Sequence, residues 1–224
     1  MNYDFLCKTP LFRGCTPQDL EEMLKNIPYY TKDYKKNEII FHAGQKITSL
    51  GLILSGSVQV EKIDIVGSKS ILGIFQKSEI FAESYACFNE QPIMVDVVAR
   101  ENSSIFFVNV QTLYSNSNNS KYNLILLQNL LRIASKKNQI LSMRIFHTSP
   151  KTIRQKLFSY FAEQVKRQNS CHIMLPLDRQ ELADYLSIDR TALSKELGKL
   201  RDEGLIDFRK NDFTINVKDN MEEY

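Results

Sequence analysis

The sequence predicts an α+β protein in which a β-roll is followed by a long helix and a winged helix-turn-helix. Short β-rich runs separated by turn residues occupy residues 29–110. Apolar residues then repeat at alternating spacings of three and four over residues 124–145. Two capped helices joined by a tight turn follow at residues 178–200. The 224 residues are enough for two ordinary domains.

The composition is that of a soluble globular protein, with 43% hydrophobic and 25% charged residues. No apolar run approaches the roughly 20 residues that a membrane span needs, and the N-terminus lacks the layout of a signal peptide. We therefore expect a cytoplasmic protein with no membrane partner. The net charge of +3 is too small to argue for nucleic acid by itself. The four cysteines have no C-x-x-C spacing, so we expect neither disulfides nor a bound metal.

The predicted roll is preceded by a short helix, which Thr16 caps and in which Pro17 takes the first position. Turn residues such as Gly44 and Gly56 separate the β-rich runs that follow. The predicted strands cover residues 38–41, 50–54, 58–60, 70–75, 94–98 and 105–110. Together they predict a β-barrel or roll of roughly eighty residues.

A heptad seam marks the long helix, which is predicted to run to Phe146. The seam consists of Leu124, Leu127, Leu131, Ala134, Asn138, Leu141 and Ile145. It favours pairing with a second copy, because a polar residue such as Asn138 at a core position can fix the register of a two-stranded coil. The alternative is a helix that packs on its own barrel. After the seam, Ser149 is predicted to cap a helix over residues 151–168, with Pro150 at its first position.

The clearest motif lies at residues 177–200. Asp178 and Glu181 form a capping pair, Asp189 can cap the second helix, and Ser187 lies in the tight turn between them. Small Ala183 allows a close approach of the two helices. The predicted shared core consists of Leu182, Leu186, Leu193, Leu197 and Leu200. This arrangement is typical of a helix-turn-helix.

The opposite side of the second helix carries hydrogen-bonding or small residues. These are Arg190, Thr191, Ser194, Lys195 and Gly198. Such residues suit guanine edges, phosphates and close approach to bases in the major groove. Residues 204–209 and 213–217 flank Lys210-Asn211-Asp212 and predict a hairpin, the wing, which brings Arg209 and Lys210 near a phosphate backbone. The alternative is a solvated helix face in a winged helix that binds protein.

The order of these parts resembles the CRP/FNR family, and the resemblance covers nearly the whole chain. It rests on NEIIFHAG at 37–44, LILSGSV at 52–58 and IFAES at 80–84, and on RQELA at 179–183, RTALSK at 190–195 and EGLI at 203–206. The resemblance implies a cyclic-nucleotide-binding-type β-roll (a double-stranded β-helix) that senses an effector over residues 1–119. It also implies a dimerisation helix and hinge over 120–147 and a DNA-binding domain over 148–224. A homodimer on a palindromic operator, in contact with RNA polymerase, follows from it.

The resemblance to the family also implies which residues contact DNA. Arg179 and Gln180 are implied to touch phosphates, whereas Arg190, Thr191, Ser194 and Lys195 are implied to face the groove. The family often has Arg where Lys195 stands and Glu where Thr191 stands, so operator preference can differ. Ser187 stands where the turn usually has Gly, which costs on the order of 1 kcal/mol if the residue is left-handed.

Cyclic-nucleotide binders of this family use a Gly-Glu pair for the ribose and an Arg-Ser pair for the phosphate. Here Ala82-Glu83, followed by Ser84, and Ile93-Met94 occupy these places. Burying a cyclic phosphate without a cation costs several kcal/mol, so we expect an effector other than cAMP. Helix residues Lys137 and Asn138 align near the positions that close over the ligand. A neutral or aromatic ligand, or an anion held from the helix side, fits this set. Cys7 and Cys15 do not supply four iron-sulfur ligands.

Three classes of function remain open at this point. The first is a homodimeric DNA-binding transcription regulator controlled by an effector. The second is a ligand-binding barrel whose helical tail contacts protein. The third, an enzyme, is not expected, because no nucleophile-base pair, phosphate-cradling glycine loop or metal-ligand spacing is present.

Overall fold

The computed structural model describes residues 2–63, 69–88, 90–115 and 121–216. Internal contacts divide it into two compact units, Met1–Ser135 and Lys136–Tyr224. The predicted α+β class is confirmed, since a β-rich region precedes a long helix and a smaller helical unit with its own sheet. The predicted boundaries at residues 119 and 147 stay predictions.

The first unit contains two four-stranded antiparallel sheets that form the roll. One sheet has the order β1-β8-β3-β6 and the other has the order β2-β7-β4-β5. The strands are β1 (Tyr29–Tyr34), β2 (Ile39–Phe41), β3 (Ser49–Ser55), β4 (Ser57–Ile63), β5 (Lys69–Gln76), β6 (Ile80–Phe81), β7 (Asp96–Ala99) and β8 (Ser103–Asn109). Strand β1 pairs with β8, and β6 pairs with β3; the predicted runs did not single out either strand.

The predicted strand over residues 94–98 was displaced. Strand β7 begins at Asp96, two residues after the predicted start. Just before it, the backbone of Ile93 bonds to the turn at residues 44–45. The Gly44 nitrogen donates to the Ile93 oxygen at 2.7 Å, and the Ile93 nitrogen donates to the Gln45 oxygen at 2.9 Å. The Ile93 side chain is thereby directed into the roll, where it is 1% exposed.

Helices close the roll at one side. They are α1 (Tyr3–Cys7), α2 (Pro17–Asn26), α3 (Glu83–Phe88), α4 (Thr112–Ser115) and the first part of α5 (Lys121–Thr148). Helix α2 is confirmed with its cap: the Asp19 nitrogen donates to the Thr16 hydroxyl at 3.1 Å, and the Thr16 nitrogen donates to the Asp19 carboxylate at 2.9 Å. Leu20 of α2 and Leu126 and Leu130 of α5 are buried in one cluster with Phe106 of β8.

Helix α5 is one continuous helix of 28 residues, as predicted. Its first half has a side that packs on the first unit, through the buried Leu126, Asn129 and Leu130. The Asn129 amide donates to the carbonyl oxygens of Leu11 and Arg13 at 3.0 and 2.8 Å. These bonds satisfy backbone oxygens that would otherwise be buried without a donor.

The second unit contains the last part of α5, three further described helices and a three-stranded sheet of order β10-β11-β9. Its elements are α6 (Ile153–Gln168), β9 (His172–Met174), α7 (Arg179–Leu186), α8 (Arg190–Asp202), β10 (Ile206–Arg209) and β11 (Asp212–Ile215). The five predicted core leucines are all 0% exposed, and so is Ala183. The helix-turn-helix core is therefore confirmed.

The predicted start of α6 was wrong. Thr152, not Ser149, is the N-cap, and the helix begins at Ile153, so Pro150 lies outside it. Thr152 and Gln155 satisfy each other's backbone nitrogens, which is the fuller cap. The Ser149 hydroxyl instead donates to the Ile145 oxygen at 2.7 Å and closes the end of α5.

Candidate DNA interface and effector site

Helix α8 has a buried side and an exposed polar side. Leu193, Leu197 and Leu200 are fully buried, whereas Arg190, Thr191, Ser194 and Lys195 are exposed and Gly198 is half-buried. Their spacing places the exposed residues along one side of the helix. The structure thus brings together the four residues that the sequence assigned to the groove.

Caps hold the two helices of the motif in register. The Glu181 nitrogen donates to Asp178 and the Asp178 nitrogen donates to Glu181, both at 2.8 Å. At the start of α8, the Ala192 nitrogen donates to the Asp189 carboxylate at 2.8 Å. Between the helices, Ser187 is left-handed with φ +53°. The turn therefore forms with serine in the place that usually has glycine.

Arg154 of α6 anchors the back of α8. Its Nε lies 2.9 Å from the Glu196 carboxylate and its Nη2 lies 2.6 Å from the Glu203 carboxylate. Hydrogen bonding to Arg154 lowers the pKa of Glu203. This clamp was not predicted, because only the tertiary packing brings residue 154 to residues 196 and 203. A residue that fixes α8 from behind sets where its exposed side points.

Arg179 packs against the wing. Its guanidinium carbon lies 5.1 Å from the centre of the Phe208 ring and 5.2 Å from that of Phe213. Burial there lowers its pKa. Arg179, which is predicted to contact a DNA phosphate, therefore also packs on the wing. Gln180 is exposed, and its amide donates to the Asp184 carboxylate at 2.9 Å.

The wing is the hairpin of β10 and β11. Its turn is formed by Lys210 and Asn211, while Asp212 belongs to β11 and pairs with Arg209. Arg209 and Lys210 are both exposed, and Lys210 is left-handed with φ +57°. Residue 217 of the predicted hairpin lies outside the described residues.

The heptad seam of α5 is largely exposed. Leu124, Leu131, Leu141 and Ile145 are 58%, 68%, 59% and 63% exposed. Ala134 and Asn138 are exposed as well. Leu127 differs, since it is partly buried against the core of the first unit. The helix therefore packs on its own roll through one side and leaves most of the seam uncovered.

In the roll, the residues aligned with the family's ligand pocket have different environments. Ala82 is left-handed with φ +62°, where the family has glycine. Glu83 is half-buried and Ser84 is exposed. Ile93 is buried in the core of the roll, whereas Met94 is 64% exposed. The Ile93-Met94 pair therefore does not converge on one point.

A cavity of about 480 Å³ lies beside these residues and is lined by Ser84, Tyr85, Phe88 and Gln91. Of these four residues, only Ser84 was predicted to belong to the effector pocket. The missed signal is two aromatic residues spaced by three at 85 and 88, directly after the aligned Glu83. None of these lining residues is a cation.

Two carboxylates lie on β4 and β7, at the end of β7 that follows Ile93. Glu61 of β4 is 4% exposed and is the cross-strand partner of Asp96 of β7, three residues after Ile93. Glu61 accepts a hydrogen bond from Gln59, and Asp96 accepts one of 2.8 Å from the Ala43 nitrogen. Lys137 and Asn138 lie on α5 in the second unit, and their role at the effector stays a prediction.

No helix within the described ranges is long and apolar enough to cross a membrane. No group of three or more His, Cys, Asp or Glu side chains in the same part of the chain is placed to hold a metal ion.

Comparisons with known proteins agree with this architecture. A cyclic nucleotide-binding domain matches residues 31–117, and a Crp-like helix-turn-helix domain matches residues 155–224. The chain is 26% identical over 209 residues to the anaerobic regulatory protein of Bacillus subtilis strain 168, a match that covers 91% of this chain and 86% of that protein.

Two solved structures show the same fold. The c-di-GMP-responsive global regulator CLP of Xanthomonas campestris is 18% identical, with a TM-score of 0.55 over 91% of this chain and 100% of that one. A cyclic nucleotide-binding domain from Methylobacillus flagellatus KT is 18% identical, with a TM-score of 0.51 over 61% of this chain and 76% of that one. Because the two domains, their order and the curated relative agree, the chain belongs to the CRP/FNR family of DNA-binding transcription regulators.

Proposed function

We propose that this chain is a homodimeric, sequence-specific transcription regulator that reads a palindromic operator and responds to an effector other than cAMP. The observation that carries the proposal is the exposed side of α8, where Arg190, Thr191, Ser194 and Lys195 lie opposite a fully buried leucine ridge. Arg and Lys can donate to guanine edges or phosphates, and short Thr and Ser side chains allow close approach to bases. Arg209 and Lys210 of the wing, with Arg179 and Gln180 of α7, would contact the phosphate backbone.

The seam of α5 supports the homodimer. Four large apolar side chains, each more than half exposed, recur along one helix at heptad spacing. Leaving them in water costs about 25 cal/mol per Å² of apolar surface. Pairing with the same seam of a second copy covers them and produces two-fold symmetry, so two recognition helices would read half-sites about 34 Å apart. Such a promoter-bound dimer would act through contact with RNA polymerase, in the cytoplasm and without enzymatic activity.

The environment of the roll supports an effector other than cAMP. A buried anion needs a paired cation or several donors. Ile93 is directed into the apolar core, Met94 points to solvent, and the nearby Glu61 and Asp96 would repel a phosphate. The cavity beside Tyr85 and Phe88 offers two aromatic rings instead. We infer that the effector is neutral or aromatic.

Selection of bound sequences from a random DNA pool tests the operator. We expect an inverted repeat whose half-sites are separated by about one helical turn. Failure to enrich any sequence, with the protein folded and dimeric, would favour the reading in which the helical tail contacts protein.

Isothermal titration with cAMP tests the effector. We expect no saturable binding in the micromolar range, because the phosphate lacks a cation. A dissociation constant of micromolar strength or tighter would overturn this assignment of the roll and would leave the operator assignment standing.

A further inference from the structure

A groove in the second unit lies apart from the DNA-reading face and from the roll. It has a volume of about 400 Å³, and helices α5 and α6 form two of its walls. Lys136, Ile140 and Met143 line it from α5 at spacings of four and three. Such spacing places them on one side of the helix, so a single face of α5 forms the wall.

The facing wall comes from α6 and is polar and aromatic. Tyr160, Glu163 and Arg167 line it at spacings of three and four, and Tyr185 of α7 contributes a second ring. The Tyr160 ring lies 5.4 Å from that of Tyr185 at an interplanar angle of 55°, so the two rings pack against each other. Tyr160 is 3% exposed, and burial raises its pKa to about 12. Its hydroxyl therefore keeps its proton at physiological pH and remains a neutral donor.

The charges of the groove are not balanced. The Glu163 carboxylate lies 3.3 Å from Nε2 of the buried His147. Burial lowers the pKa of His147, so its imidazole is neutral at physiological pH and does not cancel the charge of Glu163. Lys136 and Arg167 take part in none of the ion pairs found within the described ranges. Among the described lining residues there are thus two cations and one carboxylate, which leaves a net positive charge. An anionic group placed there would gain charge-assisted hydrogen bonds.

These features together define a ligand. A volume of a few hundred Å³, apolar contacts from Ile140 and Met143, and a few polar groups are typical of small-molecule sites. We propose that this groove is a second ligand site, which binds a small aromatic molecule that carries one anionic group. The ring stacks against the half-buried Tyr185, and the anion lies between Lys136 and Arg167.

Titration of the whole chain with 1-naphthoate tests the site. Titration with the uncharged isostere 1-naphthamide measures how much the anionic charge contributes to the affinity. We expect saturable binding of naphthoate and at least tenfold weaker binding of the amide, because the amide cannot accept charge-assisted hydrogen bonds as a carboxylate does. Arg167→Ala should weaken naphthoate binding by a similar factor. Lys166→Ala removes the same charge from the neighbouring position, which does not line the groove, and should leave binding within about twofold of the parent.

Met143→Trp supplies an independent variant, since the larger side chain fills the groove and should abolish binding. Thermal unfolding confirms that each variant is folded, and operator binding without naphthoate is measured in parallel. No saturable binding, equal binding of acid and amide, or equal effects of Arg167→Ala and Lys166→Ala would each overturn the proposal. Any of these results with intact operator binding would remove the second ligand site alone.

Discussion

Arg179 Nη2 donates a hydrogen bond of 3.1 Å to the carbonyl oxygen of Lys210. This bond joins the first turn of α7 to the tip of the wing, while the guanidinium covers Phe208 and Phe213. We infer that Arg179 positions the wing as well as adding positive charge near DNA. Cation–π contacts of desolvated groups contribute about 2 kcal/mol, so Arg179→Ala should destabilise the second unit by an amount of that order.

A double-mutant cycle separates positioning from direct contact. If Arg179 acts through the wing, Arg179→Ala and Lys210→Ala should not be additive, and the double variant should lose less operator affinity than the sum of the single losses. Affinities are measured at one fixed salt concentration. Strictly additive losses would mean that Arg179 contacts a phosphate independently of the wing.

Ser187 has a backbone conformation that suits glycine. With φ +53°, its Cβ costs on the order of 1 kcal/mol, part of which is offset because glycine gains entropy in the unfolded chain. Ser187→Gly should therefore raise the free energy of unfolding by roughly 0.5 kcal/mol, measured with urea. Asn169→Gly is the matched control, since Asn169 is also left-handed at a helix end but asparagine tolerates this region. An equal or larger gain at residue 169 would contradict the explanation.

The exposed seam of α5 predicts a dimer, and charged substitutions in the seam should dissociate it. Leu131 and Leu141 are 68% and 59% exposed on α5, so replacing both with Asp should leave the fold intact and produce a monomer by light scattering. Leu127 is unsuitable, because it packs partly on the core of the first unit. Leu72→Asp makes the same change at a leucine of β5 that is 53% exposed and should remain dimeric. A wild type that is monomeric at micromolar concentration would contradict the two-fold arrangement.

His147 predicts a pH dependence of stability. It is fully buried at the end of α5, with Nδ1 2.9 Å from the Tyr185 hydroxyl. Burial lowers its pKa below the ordinary 6.5, and the nearby Glu163 opposes this shift. The folded state thus resists protonation. The stabilisation is complete above about pH 6.5 and is lost as the pH falls towards the lower folded pKa.

His147→Asn tests this explanation, because the amide can bond to Tyr185 but does not titrate. The midpoint of thermal unfolding is compared between about pH 7.5 and 5.5, across the range in which histidine titrates. The parent should lose more stability than the variant. Equal losses would show that other groups, such as carboxylates, dominate the acid sensitivity.

Much of the second unit was predictable because its signals are local. The caps at Asp178 and Asp189 and the leucine spacing of α7 and α8 require only neighbours in sequence. The start of α6 was predicted wrongly, although its signals are also local. Ser149-Pro150 and Thr152-Gln155 both fit a helix cap, but only the second pair satisfies two backbone nitrogens. A local rule could not rank the two.

The missed features depend on contacts between distant residues. Arg154 reaches Glu196 and Glu203 across more than forty positions, and Arg179 reaches the wing across thirty-one. The inward direction of Ile93 depends on its pairing with the turn at Gly44, which no periodicity reveals. These contacts decide where the groove-facing residues and the effector cavity lie.

Lys195→Ala tests the central claim most directly. Lys195 is exposed on α8 between Ser194 and the half-buried Glu196, so its loss should leave folding unchanged. At a selected operator and one fixed salt concentration, we expect affinity to fall by about 1–3 kcal/mol. Lys166→Ala on α6, with the same loss of charge, should change affinity by less than about 0.5 kcal/mol. Unchanged operator affinity of Lys195→Ala, or an equal loss in the two variants, would contradict the assignment of α8 as the helix that reads DNA.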